Sequence, residues 1–166
     1  MQENKRKCIF AGTFDPPTLG HTYVVDEALK LFDEVVVAIL INPQKQPLFS
    51  LEQREEMLKL VFDGKKGVRI RTFCGTTDEL LAEEGTHLYV RGIRGCVDLD
   101  YENANYYASK KIDGEVSAVY LPCPQNLLHV SSSVVRNCLQ FDKPIDEFVP
   151  KKIQNYIFSV YTKDKK

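Results

Sequence analysis

Cationic and hydroxyl-bearing side chains follow four short apolar runs of the sequence, each near the point where the run ends. His21 closes the polar loop after the first run, and Lys45 lies in the loop after the second. Arg91 and Arg94 follow a later run, and the serines at 131–133 follow the last. Cations, hydroxyls and the free N–H groups of helix N-termini are the groups that bind phosphate oxygens. Their joint placement predicts a site for a polyphosphate ligand.

Each of these residues also has a purely structural interpretation. A lone histidine is more often a packing or capping residue, and Lys45, between two prolines, could be an ordinary solvated lysine. Arg94 alone is typical of a surface, and serine is a favoured helix N-cap. Arg91 is less easily explained in this way, because a cation that directly ends an apolar strand needs a partner or a function. The prediction therefore depends on the convergence of several loops rather than on one side chain.

Alternating apolar runs and amphipathic segments predict the elements that bring these loops together. Strands are predicted over residues 8–11, 35–41, 68–72, 88–90 and 116–121, where the runs are short, rich in Val and Ile, and nearly continuous. Helices are predicted over residues 21–32, 51–62, 78–84, 98–112, 132–141 and 150–161. Ser50 with Gln53 forms a possible capping box, and Pro150 suits the first position of a helix.

Repeated strand–helix alternation predicts an α/β fold, with a doubly wound five-stranded parallel sheet, helices on both faces and C-terminal helices. In such sheets ligands bind beyond the carboxyl ends of the strands, where the loops named above lie. Residues 1–162 are expected to form one domain, and residues 163–166 a basic C-terminal tail.

Composition limits the classes of partner. The formal net charge of −1 over 166 residues argues against a general nucleic-acid or membrane-surface binder. The N-terminus is polar without an apolar h-region, and no apolar segment approaches membrane-spanning length, so neither a signal peptide nor a membrane span is predicted. The five cysteines have no ligand-like spacing, which favours buried reduced thiols and a cytoplasmic protein. Neither G-x-x-x-x-G-K nor G-x-G-x-x-G occurs, so the sequence does not support an ordinary phosphate loop or dinucleotide fold.

Two segments resemble the signatures of the nucleotidylyltransferase superfamily. Residues 12–21, Gly-Thr-Phe-Asp-Pro-Pro-Thr-Leu-Gly-His, resemble its T/H-x-G-H signature, and residues 130–136, Val-Ser-Ser-Ser-Val-Val-Arg, resemble its second signature, I-S-S-[ST]-x-x-[RK]. Further matching segments at residues 31–35, 42–52, 90–94 and 98–102 make the chain similar to the bacterial phosphopantetheine adenylyltransferase family from about residue 8 to residue 157. This resemblance implies a Rossmann-like fold.

The resemblance also implies an activity and a site. The family transfers AMP from ATP to 4′-phosphopantetheine, which yields dephospho-coenzyme A and pyrophosphate in coenzyme A biosynthesis. By resemblance the catalytic residues are His21, Lys45 and Arg91, and the acceptor is held by Thr13, Lys45, Thr77 and Arg91. By resemblance ATP is held by Thr13, Phe14, His21, Gly92, Arg94, Glu102, Leu127, Ser131, Ser132 and Ser133. Magnesium would be carried mainly by ATP phosphates and water, with no dedicated metal site in the protein.

The resemblance further implies a homohexamer with coenzyme A as a feedback ligand. Neither nucleic acid nor a membrane is expected as a partner. Residues 76–78, 103–109 and 127–130 depart from the family pattern, which leaves the identity of the acceptor and the subunit contacts open. One alternative is a nucleotidylyltransferase of the same superfamily that uses CTP or another acceptor. The other is a catalytically silent nucleotide-binding module.

Overall fold

Five parallel strands form one sheet in the computed structural model, which describes residues 5–44 and 46–164. The strands are β1 (Lys7–Gly12), β2 (Glu34–Leu40), β3 (Val68–Phe73), β4 (Leu88–Ile93) and β5 (Ser117–Pro122). Their order is β3-β2-β1-β4-β5, and every neighbouring pair is parallel. The chain therefore winds from β1 to one edge of the sheet and then to the other, which confirms the predicted doubly wound, Rossmann-like α/β fold.

The strand β4 extends beyond its predicted end at residue 90. Residues 91–93 pair with residues 120–122 of β5, and this pairing satisfies backbone groups that a loop would leave open. Arg91 was predicted in the exit loop, but it lies inside the strand, where pairing fixes its backbone. The other four strands agree with their predicted bounds within one residue at each end.

Six α-helices occur within the described ranges. They are α1 (Leu19–Ala28), α2 (Leu51–Phe62), α3 (Thr77–Glu84), α4 (Cys96–Ile112), α5 (Ser132–Gln140) and α6 (Lys151–Asp164), and a short 3₁₀ turn covers Gln125–Leu127. The predicted capping box of α2 is confirmed. Gln53 N–H donates to Ser50 Oγ at 3.2 Å, and Ser50 N–H donates to Gln53 Oε1 at 2.8 Å. No helix in the described part of the chain is both long enough and apolar enough to span a membrane.

Two helices differ from their predicted bounds at both ends. The helix α1 was predicted over residues 21–32, but it spans Leu19–Ala28, and in the turn that follows the N–H groups of Lys30 and Leu31 donate to carbonyls three residues earlier. Pro150 was predicted at the first helical position, but α6 begins at Lys151, and the Pro150 carbonyl accepts the Ile153 N–H at 3.0 Å. The same helix continues to residue 164, so it includes part of the predicted tail at 163–166.

Both faces of the sheet are covered by apolar packing, which explains why the strands are continuous apolar runs. Cys8 and Phe10 of β1 lie in a buried cluster with residues of α1, α2, α5 and α6. Ile9 and Ala11 lie in a second cluster with residues of α3, against which a tyrosine of α4 packs. This alternation confirms the predicted placement of helices on both faces.

Candidate active site

Two cavities adjoin at the carboxyl ends of β1 and β4. One, here called the His21 cavity, has a volume of about 290 Å³ and is lined by the start of α1, by β4 and by the N-terminus of α5. The other, here called the Thr77 cavity, has a volume of about 600 Å³ and lies between the ends of β1 and β2 and the start of α3. The residues that line both are Ala11, Gly12, Arg91 and Glu102. These four residues form the wall that the cavities share.

The helix cap at Thr18 sets the hydrogen-bonding role of His21. The Thr18 N–H donates to Nδ1 of His21 at 2.9 Å, and the Thr18 hydroxyl oxygen lies 3.0 Å from the same nitrogen. Because a backbone N–H can only donate, Nδ1 is the acceptor and the neutral ring carries its proton on Nε2. His21 therefore offers one N–H donor to the cavity that it lines.

His21 is neutral at physiological pH. Burial, reinforced by the positive charge of Arg94, lowers the pKa of His21 from its ordinary value of 6.5 to about 4. The ring also contacts Phe14 edge-on, with 4.9 Å between ring centroids. A neutral donor in an apolar and cationic setting can stabilise negative charge on a ligand oxygen without first losing or gaining a proton.

The loop before α1 is shaped around Phe14. Phe14 is 2% exposed and adopts a positive φ of 49°, which is uncommon for a residue other than glycine. A Cβ at Gly12 would lie 3.2 Å from the Phe14 ring. Glycine at position 12 therefore lets the backbone approach the ring that supports His21.

Two arginine–carboxylate pairs line the cavities. Arg91 Nε lies 3.1 Å from Glu102 Oε2, and Arg91 Nη1 donates to the Ala11 carbonyl. Arg94 donates from Nε and Nη2 to the two oxygens of Asp98, at 2.9 and 3.1 Å. The Arg94 guanidinium lowers the pKa of Asp98, and Asp98 raises the pKa of Arg94. Each cation is thus held in place by a carboxylate before any ligand binds.

The serine hydroxyls at the start of α5 are used within the protein. Ser131 Oγ accepts the backbone N–H three residues later at 3.2 Å, as a helix N-cap. Ser132 Oγ donates to the Pro16 carbonyl at 2.8 Å, and Ser133 Oγ accepts from Arg136 Nη2 at 3.0 Å. The N-terminus of α5 can still attract phosphate through its backbone N–H groups and its dipole.

Asp15 and Arg54 join the two loops of the site and were not among the residues predicted from the sequence. Asp15 is 4% exposed, and its carboxylate accepts the N–H groups of Leu48 at 2.8 Å and Phe49 at 2.9 Å. Arg54 Nη1 donates to the Thr13 carbonyl at 2.9 Å. These bonds tie the loop after β1 to the loop after β2.

A signal for Arg54 was present in the sequence. It lies on the apolar stripe of α2 with Met57, Leu58 and Val61, where a charged side chain must be buried and paired. Burial lowers the pKa of Arg54, and the nearby Asp15 carboxylate acts in the opposite direction. Asp15 has no such periodic signal, because it lies in an irregular loop.

The structure brings most of the predicted site residues together. Phe14, His21, Gly92, Arg94, Ser131 and Ser132 line the His21 cavity, Thr13 and Thr77 line the Thr77 cavity, and Arg91 and Glu102 line both. Leu127 and Ser133 line neither cavity. Lys45 lies outside the described residues. The individual roles of these residues stay predictions.

Comparisons with known proteins agree with this architecture. The cytidylyltransferase-like family model matches residues 9–138. A phosphopantetheine adenylyltransferase of Helicobacter hepaticus is 34% identical over 159 residues, which cover 95% of this chain and 96% of that protein. One from Porphyromonas gingivalis is 37% identical over 147 residues, covering 89% and 95%. A solved structure from Vibrio parahaemolyticus, provisionally named a nicotinate-nucleotide adenylyltransferase, superposes with a TM-score of 0.67 at 21% identity and covers 93% of this chain and 99% of that one.

Proposed function

The chain belongs to the cytidylyltransferase-like family and, within it, to the phosphopantetheine adenylyltransferases, and we propose that it transfers AMP from ATP to 4′-phosphopantetheine. In this reaction an oxygen of the acceptor phosphate forms a bond to the α-phosphorus of ATP. The bond from that phosphorus to the bridging oxygen of the β-phosphate breaks, and pyrophosphate leaves with the electron pair. The products are dephospho-coenzyme A and pyrophosphate.

The shared wall between two cavities is the observation that carries this proposal. A transfer between two phosphates needs two adjoining pockets and donors at the point where the substrates meet. ATP would occupy the His21 cavity, with its outer phosphates toward Arg94 and the N-terminus of α5. The acceptor would occupy the larger Thr77 cavity, with its phosphate against Arg91.

In this arrangement His21 would donate from Nε2 to a non-bridging oxygen of the α-phosphate, where negative charge increases in the transition state. Thr13 and Lys45 would hold the attacking phosphate near that phosphorus. Lys45→Ala should therefore impair the use of the acceptor more than the binding of ATP. Equal damage to both would contradict its assignment.

The direct test is release of pyrophosphate by the purified chain. We expect turnover with ATP plus 4′-phosphopantetheine and formation of dephospho-coenzyme A in equal amount. Turnover with CTP and a different phosphorylated acceptor, but not with this pair, would instead indicate another member of the superfamily. Nucleotide binding without turnover of either pair would indicate a silent module.

We propose that Mg²⁺ enters the site as a complex with the phosphates of ATP. Phosphate oxygens and water are the ligands that this ion prefers. Both carboxylates that line the His21 cavity, Asp98 and Glu102, are already paired with arginines. Bound in this way, magnesium would offset negative charge on the phosphates. Titration with EDTA tests this, because activity should follow the concentration of MgATP.

The remaining proposals concern the whole protein. We infer a homohexamer, cytoplasmic location, one catalytic domain over residues 1–162, and coenzyme A as a feedback ligand. Association is supported by α4, where no residue is buried and Val97 and Ile112 are 84% and 77% exposed. Sedimentation equilibrium tests the assembly, and competition between coenzyme A and 4′-phosphopantetheine tests the feedback ligand.

A further inference from the structure

Glu102 forms a half-buried ion pair with Arg91 on the shared wall of the cavities. The two side chains are 16% and 23% exposed, and Glu102 Oε2 lies 3.1 Å from Arg91 Nε. These two atoms are buried, are not aligned for a hydrogen bond with each other, and have no hydrogen-bond partner among the described residues. A buried cation and a buried carboxylate each need an opposite charge, and here each supplies it to the other.

A second contact fixes the other side of the Arg91 guanidinium. Its Nη1 donates to the Ala11 carbonyl in β1, and the group lies 5.8 Å from the centroid of the Tyr89 ring. Because a guanidinium is a rigid planar fork, the ion pair beside Nε and the hydrogen bond from Nη1 together restrict the direction in which the whole group points. Within the described residues Nη2 makes no hydrogen bond, so this corner of the fork is left for an anion.

We propose that Glu102 is a positioning residue, which acts through Arg91 on the acceptor phosphate rather than on the nucleotide. This inference rests on the proposed function, in which Arg91 holds that phosphate. The resemblance instead places Glu102 among the residues that hold ATP. A carboxylate and a phosphate are both negative and repel, so the favourable effect of Glu102 on phosphate must pass through the cation between them.

Removing the carboxylate should therefore weaken binding of the acceptor and spare ATP. In Glu102→Ala the guanidinium keeps only its contact with Ala11 and can turn away from the phosphate. We expect the KM for 4′-phosphopantetheine to rise about 10-fold, as for one lost charge-assisted contact. The KM for ATP should stay within about two-fold. Glu102→Gln keeps an oxygen near Nε without the charge. Its KM for 4′-phosphopantetheine should therefore lie between those of the unmodified protein and Glu102→Ala, about 3-fold above that of the unmodified protein.

Direct binding separates this role from a general loss of structure. Calorimetry would compare 4′-phosphopantetheine with pantetheine, which lacks the phosphate. In Glu102→Ala the affinity for the phosphorylated compound should fall about 10-fold, while the affinity for pantetheine stays unchanged. In Arg91→Ala the further change Glu102→Ala should then cause no further loss of affinity, because the favourable effect of Glu102 acts only through Arg91.

Asp98→Asn is the matched control, because Asp98 holds Arg94 as Glu102 holds Arg91. This variant should raise the KM for ATP rather than for the acceptor. The inference is wrong if Glu102→Ala raises the KM for ATP instead, or lowers the affinity for both acceptor compounds equally. Activity of the unmodified protein is measured first with ATP and 4′-phosphopantetheine. If the unmodified protein does not turn over this pair, the proposed function is wrong. If it does, but Glu102→Ala raises the KM for ATP or weakens both acceptor compounds equally, only this inference is wrong.

Discussion

The hydrogen bond from the Thr18 N–H to Nδ1 of His21 decides which ring nitrogen can meet a substrate. The bond belongs to a capping box, in which the Thr18 side chain also contacts the backbone of His21. A common device for starting a helix thus also fixes the tautomer of a catalytic candidate. The structural interpretation of His21 as a capping residue is therefore confirmed for Nδ1, whereas the functional interpretation stays a prediction, which concerns Nε2.

Replacing His21 by alanine should reduce turnover much more than nucleotide binding. The Nε2 donor is expected to act mainly as charge develops on the α-phosphate, and loss of one such donor costs roughly 100-fold or more in kcat. Single-turnover kinetics would measure the loss, and calorimetry should show an ATP affinity within a few-fold of the original. His21→Gln, which retains an N–H donor, should recover part of the rate. A kcat near normal in His21→Ala would contradict this role.

The low pKa of His21 predicts where activity falls in acid. Since the pKa in the folded protein is about 4, the ring stays neutral from pH 7 down to about pH 5. Protonation of His21 should therefore cause no fall in kcat/KM for ATP near pH 6.5. The fall that His21 causes should instead lie near pH 4, and it should be absent in His21→Gln. A fall in kcat/KM near pH 6.5 that is absent in His21→Gln would refute this prediction.

The same pKa shift affects stability. The unfolded chain binds the His21 proton at higher pH than the folded protein, so His21 lowers the free energy of unfolding as pH falls from 6.5 toward 4.

At the scale of elements, the site depends on how two loops are joined. The loop after β1 contains Thr13 and Asp15, and the loop after β2 contains Leu48 and Phe49. The Asp15 carboxylate binds the second loop, and its backbone carbonyl accepts from Arg136 of α5 at 2.7 Å. Asp15 therefore joins the loops after β1 and β2 through its buried side chain and joins the first of these loops to α5 through its backbone carbonyl.

Asp15→Asn should loosen this junction. An amide offers one oxygen where the carboxylate offers two, and its NH₂ group would face a backbone N–H, which costs about 1–3 kcal/mol of stability. We expect the KM for the acceptor to rise more than the KM for ATP, and faster tryptic cleavage after Lys45 in the second loop. Asp33→Asn is a suitable control, because that exposed aspartate pairs with Arg6 instead. Unchanged cleavage and unchanged KM values would show that the loop does not depend on Asp15.

The elements were largely predictable from sequence, and the contacts between them were not. Apolar runs located all five strands, and the capping box of α2 gave the start of that helix. The error at the start of α1 arose because the histidine ring serves as part of the cap, which no periodicity signals. The pairing of Glu102 with Arg91 depends on how α4 packs on β4, and the bond from Ser132 to Pro16 joins residues 116 positions apart, so both follow only from the fold. The convergence of the site loops at one edge of the sheet was predictable, because parallel strands place the loops that follow their carboxyl ends at the same edge.

Across the whole molecule, the two cavities and the largest cluster of ion pairs among the described residues lie toward opposite ends of the sheet. The two cavities lie at the carboxyl ends of the strands, whereas a charged cluster joins the start of β1 and β3 to the end of α3. Its centre is Glu84, whose side chain is 5% exposed and pairs with Lys7, Arg69 and Arg71. Hydrogen bonds from Arg69, followed by those from Arg71, lower the pKa of Glu84 to about 2.

This separation predicts a variant that changes stability without changing activity. Because the pKa of Glu84 falls from 4.5 to about 2 on folding, its contribution is complete above pH 4.5 and is lost as pH falls toward 2. This shift in the pKa of Glu84 corresponds to a contribution of about 2 kcal/mol to the free energy of unfolding, after a reduction for solvent screening of the partly exposed arginines. Glu84→Gln should thus lower the free energy of unfolding by about 2 kcal/mol at pH 7, and by less than half of that at pH 3, in urea titrations.

The neighbouring Glu83 provides the control for this experiment, since its side chain is 56% exposed and pairs only with Arg71 among the described residues. Glu83→Gln should change the free energy of unfolding by less than about 0.5 kcal/mol, as is usual at exposed positions. Both variants should keep kcat and both KM values within about two-fold, because neither glutamate contacts a cavity-lining arginine. A loss of stability in Glu84→Gln that is equally large at pH 3 and pH 7 would mean that packing, rather than the ionised carboxylate, holds this end of the sheet together.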